Sequence, residues 1–530
     1  MNKGKNNSIK VFTIILLLCF VQAVSAQGRL RLPGIIGTNM VLQRNVPIVV
    51  WGWASPAEQV VVAFKGKKYT GVAGKDSAWK ITLDVSAAGG PYNMSVATKD
   101  TSIQLRNILI GDVWLCSGQS NMEFGIQTEK NGEQAISEAK DSLVHFFFVP
   151  WKTALSPQSD IATTTNLLNG KWLVCSPDVL RANWAWHGFS AVGYYFARAI
   201  RAAQGVPLGM IGSYKGGTPA QAWISEEGLK KEPALVRHAE RHNKLLADYD
   251  VQQEKYSTQQ SAYLAAQKEW DKTKSGFKPQ APAPPDGGFG APFNLYNGMI
   301  APLKNYALRG VLWYQGESNG DRLEDALEYK TLFPALIRDW RTQWAQKELP
   351  FLYVQLTSYR DTATVPSQGL WPWVRYAQQS ALALPNTGMA VIYDVGDAKD
   401  IHPKNKQDVG VRLSLLARKI VYKEKIIANG PQLLSYDVKG DKVILHFDQH
   451  DLLLKASAST GYSGFGIAGD DKVFHWATAT VKDNTILLSA SAVKHPVAVR
   501  FNWADSPPAI LYNKEGLPAT PFRTDNWDAK

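Results

Sequence analysis

A serine placed one step beyond an apolar run is the first residue of this sequence whose surroundings suit nucleophilic chemistry. The run Gly111-Asp112-Val113-Trp114-Leu115-Cys116-Ser117-Gly118 reads as a buried strand, and Gln119-Ser120-Asn121-Met122 follows it. Open α/β sheets place their ligand crevice at the carboxyl ends of such strands. There the free N–H groups and the positive end of a following helix favour a developing oxyanion. The same position also suits a helix N-cap serine without chemistry. The lipase-type elbow Gly-x-Ser-x-Gly is not met, because Met122 stands where the second glycine belongs.

Three further stretches carry residues of the complementary types. Ile211-Gly212-Ser213-Tyr214-Lys215-Gly216-Gly217-Thr218 leaves a strand on paired glycines. Such a turn lets the backbone approach a ligand and present an N–H to it, although an ordinary strand-to-helix turn has the same composition. Leu312-Trp313-Tyr314-Gln315-Gly316-Glu317-Ser318-Asn319 also runs past a strand. Its Asn319 is either an amide donor to an oxyanion or a turn former. Asp394-Val395-Gly396-Asp397-Ala398-Lys399-Asp400-Ile401-His402-Pro403, followed by Lys406 and Arg412, sets a histidine among carboxylates. A histidine so placed serves as a general base when an acid orients its imidazole, and is otherwise a polar loop residue. Asp394, Asp397 and Asp400 recur every third residue, but the alternating ligands and central glycine of a calcium loop are missing, so no metal is assigned.

The elements that must position these residues are legible from periodicity. Between 28 and about 105, Val60, Val62 and Phe64 alternate with other residues, as do Ile81, Leu83 and Val85, then Tyr92, Met94 and Val96, which predicts a small β-sandwich. Ile108 to Leu115 is apolar throughout, as in a sheet covered on both faces. Further strands are expected at Leu208 to Ile211, Gly310 to Tyr314, Phe351 to Leu356 and Met389 to Tyr393. Helices are expected between them, with Phe189, Val192, Phe196 and Ile200 at helical spacing and others over Leu327 to Trp344 and Trp373 to Leu384. This alternation predicts an α/β domain with a parallel sheet. A polar helical segment from 228 to about 273, followed by a Pro/Gly-rich stretch to 290, reads as an insertion. After about 426 the pattern returns to short strands. The expected organisation is a signal segment over 1–26, a β-sandwich over 27–106, an α/β hydrolase domain over 107–425 with the insertion at about 228–290, and a C-terminal β domain over 426–530.

Composition excludes several classes. With 45% hydrophobic and 20% charged residues, the chain can build a large core and is not disordered. Residues 1–26 have a basic start, an apolar run from Val11 to Val21 and a small-residue site at Val24-Ser25-Ala26, the order of a secretory signal. The run is shorter than the roughly 20 residues needed to span a bilayer, so no membrane span is expected after cleavage. The segment contains three lysines and no acid, so its removal lowers the net charge of +12 by three. No basic run with interleaved aromatics is present, and nucleic acid is not an expected partner. Cys116 and Cys175 then remain, either as one disulfide or as free thiols.

The Ser, Gly, Asn and His candidates follow one another in chain order, each past a predicted parallel strand. The set resembles the SGNH hydrolases. The blocks Gly111 to Met122, Trp313 to Asn319 and Asp400 to Pro403 are similar to the sialate O-acetylesterase family. So are Asn39-Met40-Val41-Leu42-Gln43-Arg44 near the start and Gly516-Leu517-Pro518 with Pro521-Phe522-Arg523-Thr524-Asp525 near the end. The resemblance covers nearly the whole mature chain apart from the insertion. It implies an SGNH-type domain flanked by two β domains and an exported, periplasmic or extracellular enzyme that hydrolyses O-acetyl esters on sugars without a cofactor. Ser120 would be the nucleophile and His402 the base, with the Ser120 and Gly217 N–H groups and the Asn319 amide on the oxyanion. Gln119 and Gln315, in the first and third blocks, are the candidate substrate-binding residues. The general SGNH pattern has an aspartate three residues before the histidine, where this sequence has Lys399. Asp400 is the favoured replacement and Glu317 its rival. Acetylated sialic acid and acetylated xylan or xyloglucan both fit as substrates, and an inactive sugar-binding relative or a serine peptidase is the competing reading. If the signal is cut as expected, N-terminal sequencing of the mature protein begins near Gln27; an intact Met1 on active cytosolic protein contradicts export.

Overall fold

The computed structural model describes residues 30–166, 168–182, 186–360, 362, 365–366, 369–455, 464–507 and 511–528, so the expected signal segment lies outside it. Among these residues one sheet organises the molecule. Its core strands are β1 (Ser102–Gly118), β2 (Val144–Phe148), β3 (Trp172–Val174), β4 (Leu208–Tyr214), β5 (Gly310–Tyr314), β6 (Phe351–Val354) and β7 (Thr387–Ala390). They lie in the order β7-β6-β5-β1-β4-β2-β3, parallel except for β3 at one edge. The inner half of β1 is apolar because helices cover both faces of the sheet.

Register is what matters for the site. Tyr214 pairs with Gly118, and Gly118 pairs with Tyr314, so β4, β1 and β5 end at one level. The segments leaving these three strands therefore emerge side by side. Helices among the described residues include α1 (Ser120–Glu123), α2 (Ala191–Gln204), α3 (Val236–Thr273), α4 (Leu323–Gln343), α5 (Trp371–Gln379) and α6 (Gln407–Ile420). Helix α6 packs closely on α2, since a Cβ at Gly410 would lie 2.8 Å from the Val192 carbonyl oxygen. The helix α5 ends before Leu384, in a short 3-10 turn over Ser380–Ala383. Strand β7 stops at Ala390 rather than at Tyr393, because the chain turns there to bring Asp394 onto Arg412, with two contacts of 2.6 and 2.7 Å.

The N-terminal β segment is not separate from this sheet. The expected division at 106/107 falls inside β1, whose outer half pairs with Gly89–Ala97 while its inner half enters the parallel sheet. The alternating residues Val60, Val62, Phe64, Ile81, Leu83, Met94 and Val96 are buried, whereas Val85 lies past its strand and is exposed. Strand Val41–Gln43 runs parallel to β1, and Arg44 then grips buried Asp112 with contacts of 2.8 and 2.9 Å. Beyond α6, two antiparallel sheets share a second core in which Val443, Leu445, Ile486 and Leu488 face Phe465, Ile467, Val499 and Phe501. In the insertion, α3 buries only His238, Ala239 and His242, near its start, where Arg237 pairs with Glu324, Asp325 and Glu328 of α4. Cys116 and Cys175 are buried free thiols, and no helix among the described residues is long and apolar enough to cross a membrane.

Arg375 on α5 joins the C-terminal β segment to the sheet. Fully buried, it donates to the carbonyls of Leu356, Thr357, Ala504 and Asp505 at 2.5–2.8 Å. Burial lowers its pKa to about 10, and no shorter side chain reaches all four acceptors. Unsatisfied buried acceptors cost roughly 1–3 kcal/mol each. Arg375→Met should therefore destabilise the protein by about 3 kcal/mol or more, read as a fall in Tm; an unchanged Tm contradicts this bridging role.

Candidate active site

The turn after β1 can be made only by glycine. Gly118 has φ +134, and a Cβ there would lie 2.1 Å from the Tyr314 carbonyl oxygen. The chain then enters α1 with Ser120 as its first residue. Ser120 Oγ lies 2.9 Å from His402 Nε2, across 282 residues of sequence. Trp186 stands edge-on to the imidazole, with ring centroids 4.8 Å apart. Burial, then the positive charge of Lys406, hold His402 below the ordinary histidine pKa, with Asp400 opposing them. The ring is therefore neutral at neutral pH, and its Nε2 accepts the serine proton when Nδ1 carries the ring hydrogen.

The two candidate acids occupy different places. Asp400 Oδ1 accepts the main-chain N–H of His402 at 2.8 Å, which shapes the loop that carries the ring. Glu317 Oε1 accepts from Asn121 Nδ2 at 2.6 Å, while its Oε2 is buried without a hydrogen-bond partner among the described residues. Burial raises the Glu317 pKa. Asn121 also donates to the Ile401 carbonyl at 2.9 Å and accepts from Lys406 Nζ at 2.6 Å. The residue beside the serine thus holds the residue beside the histidine.

The oxyanion candidates flank Ser120. Gly217 has φ +71 and open space at its Cα, so its turn needs the left-handed backbone that glycine accepts. Its neighbour Gly216 packs against the serine: a Cβ there would lie 3.3 Å from Ser120 Cβ. The Gly216 N–H donates to Glu123 Oε2 at 2.5 Å, tying this turn to α1. Burial raises the Glu123 pKa, with the charge of Lys215 opposing. Asn319 Oδ1 accepts from the Ala220 N–H at 2.9 Å and from Gln315 Nε2 at 2.8 Å, which fixes the orientation of its amide. Its Nδ2 donates to Gln221 Oε1 at 3.0 Å, using one of the two hydrogens on that nitrogen.

Gln119 and Gln315 are placed as supports. Their side chains are buried, at 3% and 0% exposure. Gln315 Nε2 donates to Gln119 Oε1 at 3.2 Å, its Oε1 accepts from the Tyr329 hydroxyl at 2.9 Å, and Gln119 Oε1 also accepts the Ser318 N–H at 3.1 Å. The side-chain oxygens of both glutamines and the Gln315 amide nitrogen are thereby engaged beneath Asn319. Sequence reasoning did not single out Asn121, Glu123 or Trp186. Asn121 and Glu123 lie in or beside the serine block, but their partners, Glu317 and Gly216, are far away in sequence.

Comparison with known proteins points to carbohydrate esterases. Residues 290–415 match the family model described as carbohydrate esterase, sialic acid-specific acetylesterase. The sialate O-acetylesterase of Rattus norvegicus is 30% identical over 96% of this chain and 97% of its own length. That of Homo sapiens is 28% identical over 97% and 96%. The crystal structure of a carbohydrate acetylesterase from Xanthomonas citri superposes with a TM-score of 0.77 at 35% identity, covering 94% of this chain and all of that one.

The sign of the His402 shift gives a pH dependence. Only the neutral imidazole accepts a proton, so kcat/KM for ester hydrolysis should fall as pH drops through the His402 pKa. Because that pKa is lowered, the midpoint should lie below 6.5, the ordinary histidine value. A midpoint above 6.5 contradicts the assignment of His402 as a buried neutral base.

Proposed function

This chain belongs to the sialate O-acetylesterase family, and we propose that it frees acetate from O-acetylated sialic acid by double displacement at Ser120. It is a carboxylic-ester hydrolase acting on carbohydrate O-acetyl groups. The observation that carries the mechanism is the 2.9 Å contact between Ser120 Oγ and His402 Nε2 at the ends of the sheet. Ser120 Oγ attacks the acetyl carbonyl while His402 takes its proton. The tetrahedral oxyanion rests on the Ser120 and Gly217 N–H groups and on Asn319 Nδ2, an SGNH-type arrangement. As the C–O bond to the sugar breaks, His402 returns the proton to the departing sugar oxygen. Water then attacks the acetyl-serine, giving up its proton to His402; the bond to Ser120 Oγ breaks, His402 returns the proton to that oxygen, and acetate leaves. Asp400 holds the loop and favours the imidazolium that forms twice in this cycle.

Acetylated sialic acid is favoured over neutral xylan by the rim of the site. Lys215, which precedes the Gly216–Gly217 turn, places its ammonium 3.7 Å from the Trp151 ring centroid and 5.1 Å from that of Phe289. A cation framed by two partly exposed rings suits a sugar that carries a carboxylate. The protein is exported through the signal at 1–26 and meets its substrate outside the cytoplasm. An inactive sugar-binding role gives no reason for the serine–histidine contact.

Ser120→Ala should lower acetate release from O-acetylated sialic acid by at least about 10³-fold with little change in Tm. Retained activity in this variant overturns the mechanism. Faster release by the wild type from acetylated xylan or xyloglucan overturns the substrate, and cleavage of a peptide in preference to p-nitrophenyl acetate overturns the class.

A further inference from the structure

We propose that Lys406 is a positioning residue that locks the serine-bearing helix to the histidine-bearing loop and sets the electrostatic field at His402. This rests on the reading of Ser120 and His402 as nucleophile and base. Lys406 precedes α6 as its N-cap and is fully buried. A cation there faces the positive end of the helix dipole and has also lost its water, so the fold gains nothing locally from a lysine at this position. Its partners explain it. Nζ donates to Asn121 Oδ1 at 2.6 Å, which leaves Asn121 Nδ2 to donate to Glu317 Oε1 at 2.6 Å and to the Ile401 carbonyl at 2.9 Å. One amide is thereby turned so that three segments meet on it: the strand end that bears Glu317, the helix that begins at Ser120, and the loop that bears His402. The rings of Phe124 and Tyr314, with centroids 4.7 and 5.6 Å from Nζ, close the remaining sides.

The charge has its own effect. The acids around Lys406 are Glu317, Asp400 and Glu129, and burial outweighs them, lowering its pKa to about 7. Around His402 stand Ser120, Trp186, Asp400 and Lys406; of the two charged groups, Lys406 disfavours the imidazolium and Asp400 favours it. The positive charge of Lys406 keeps the base unprotonated to lower pH.

The test separates the hydrogen bond from the charge. Lys406→Met removes both, while Lys406→Gln removes the charge and keeps a donor for Asn121. Hydrolysis of p-nitrophenyl acetate by the full-length protein is followed across pH, with Ser120→Ala as reference. In both Lys406 variants the acidic limb of kcat/KM should move to higher pH. The Met variant should also lose kcat on the order of 10²-fold with KM nearly unchanged, and the Gln variant clearly less. An acidic limb that stays in place in both variants overturns the proposal, as does a loss confined to Tm with kcat and pH profile intact. If the Met variant does not fold, the acidic limb of the Gln variant decides alone. An active Ser120→Ala enzyme would instead refute the underlying mechanism, and so tells the two failures apart.

Discussion

Three parallel strands that end at one level set the place of the serine, the glycine turn and the asparagine in this protein. Tyr214, Gly118 and Tyr314 pair across β4, β1 and β5, so the next residues of each chain segment face one another over a few ångströms. A shift of one residue in either pairing would turn every side chain of a strand to the opposite face of the sheet. Gly118 makes the arrangement tight, because the Tyr314 carbonyl occupies the space that any side chain would need. The serine, the glycine turn and the asparagine segment all follow from that single alignment. The histidine arrives separately, on the loop from β7, and has to be drawn in.

Buried polar groups perform that drawing in. Asn121 links the serine helix to the Ile401 carbonyl, while Gln119, Gln315, Gln221 and Tyr329 enclose the Asn319 amide. Hydrogen-bonded networks of this kind are rigid when satisfied and destabilising when broken, since an orphaned group keeps its full desolvation penalty. Loops that would otherwise be mobile are thereby held to the precision that proton transfer over a single hydrogen bond requires. Glu317 Oε2 and Lys406 are the strained members of the network. One is a carboxylate oxygen without a partner among the described residues, and the other is a buried cation at a helix N-terminus.

The motifs at the two ends of the chain are structural. Arg44 neutralises Asp112 inside β1, and the Tyr422 hydroxyl, just past α6, meets the same carboxylate at 2.9 Å. Near the other end, the Ala519 carbonyl accepts from the Tyr393 hydroxyl at 2.9 Å, at the base of the histidine loop. Asp525 pairs with Arg500 at 2.8 Å within the second core. Together with Arg375, these contacts make the C-terminal β segment a buttress for the α5 and β7 side of the sheet.

The sequence by itself determined the elements and the four chemical stretches. Apolar runs and helical spacing follow from local burial, and Ser120, Gly217, Asn319 and His402 are types whose chemistry is intrinsic. The alternating strands of the N-terminal segment were legible for the same reason. Their continuity with the parallel sheet was not, because a strand that changes partners halfway has no marker along its own length. Nor could order along the chain show which acid serves His402, since Asp400 turned to the backbone and Glu317 to Asn121. The roles of Asn121, Glu123 and Lys406, and the withdrawal of Gln119 and Gln315 into the interior, were decided only by tertiary structure. A hydrogen bond is a property of two atoms in space, and most partners here lie tens to hundreds of residues away, where composition and spacing have no reach.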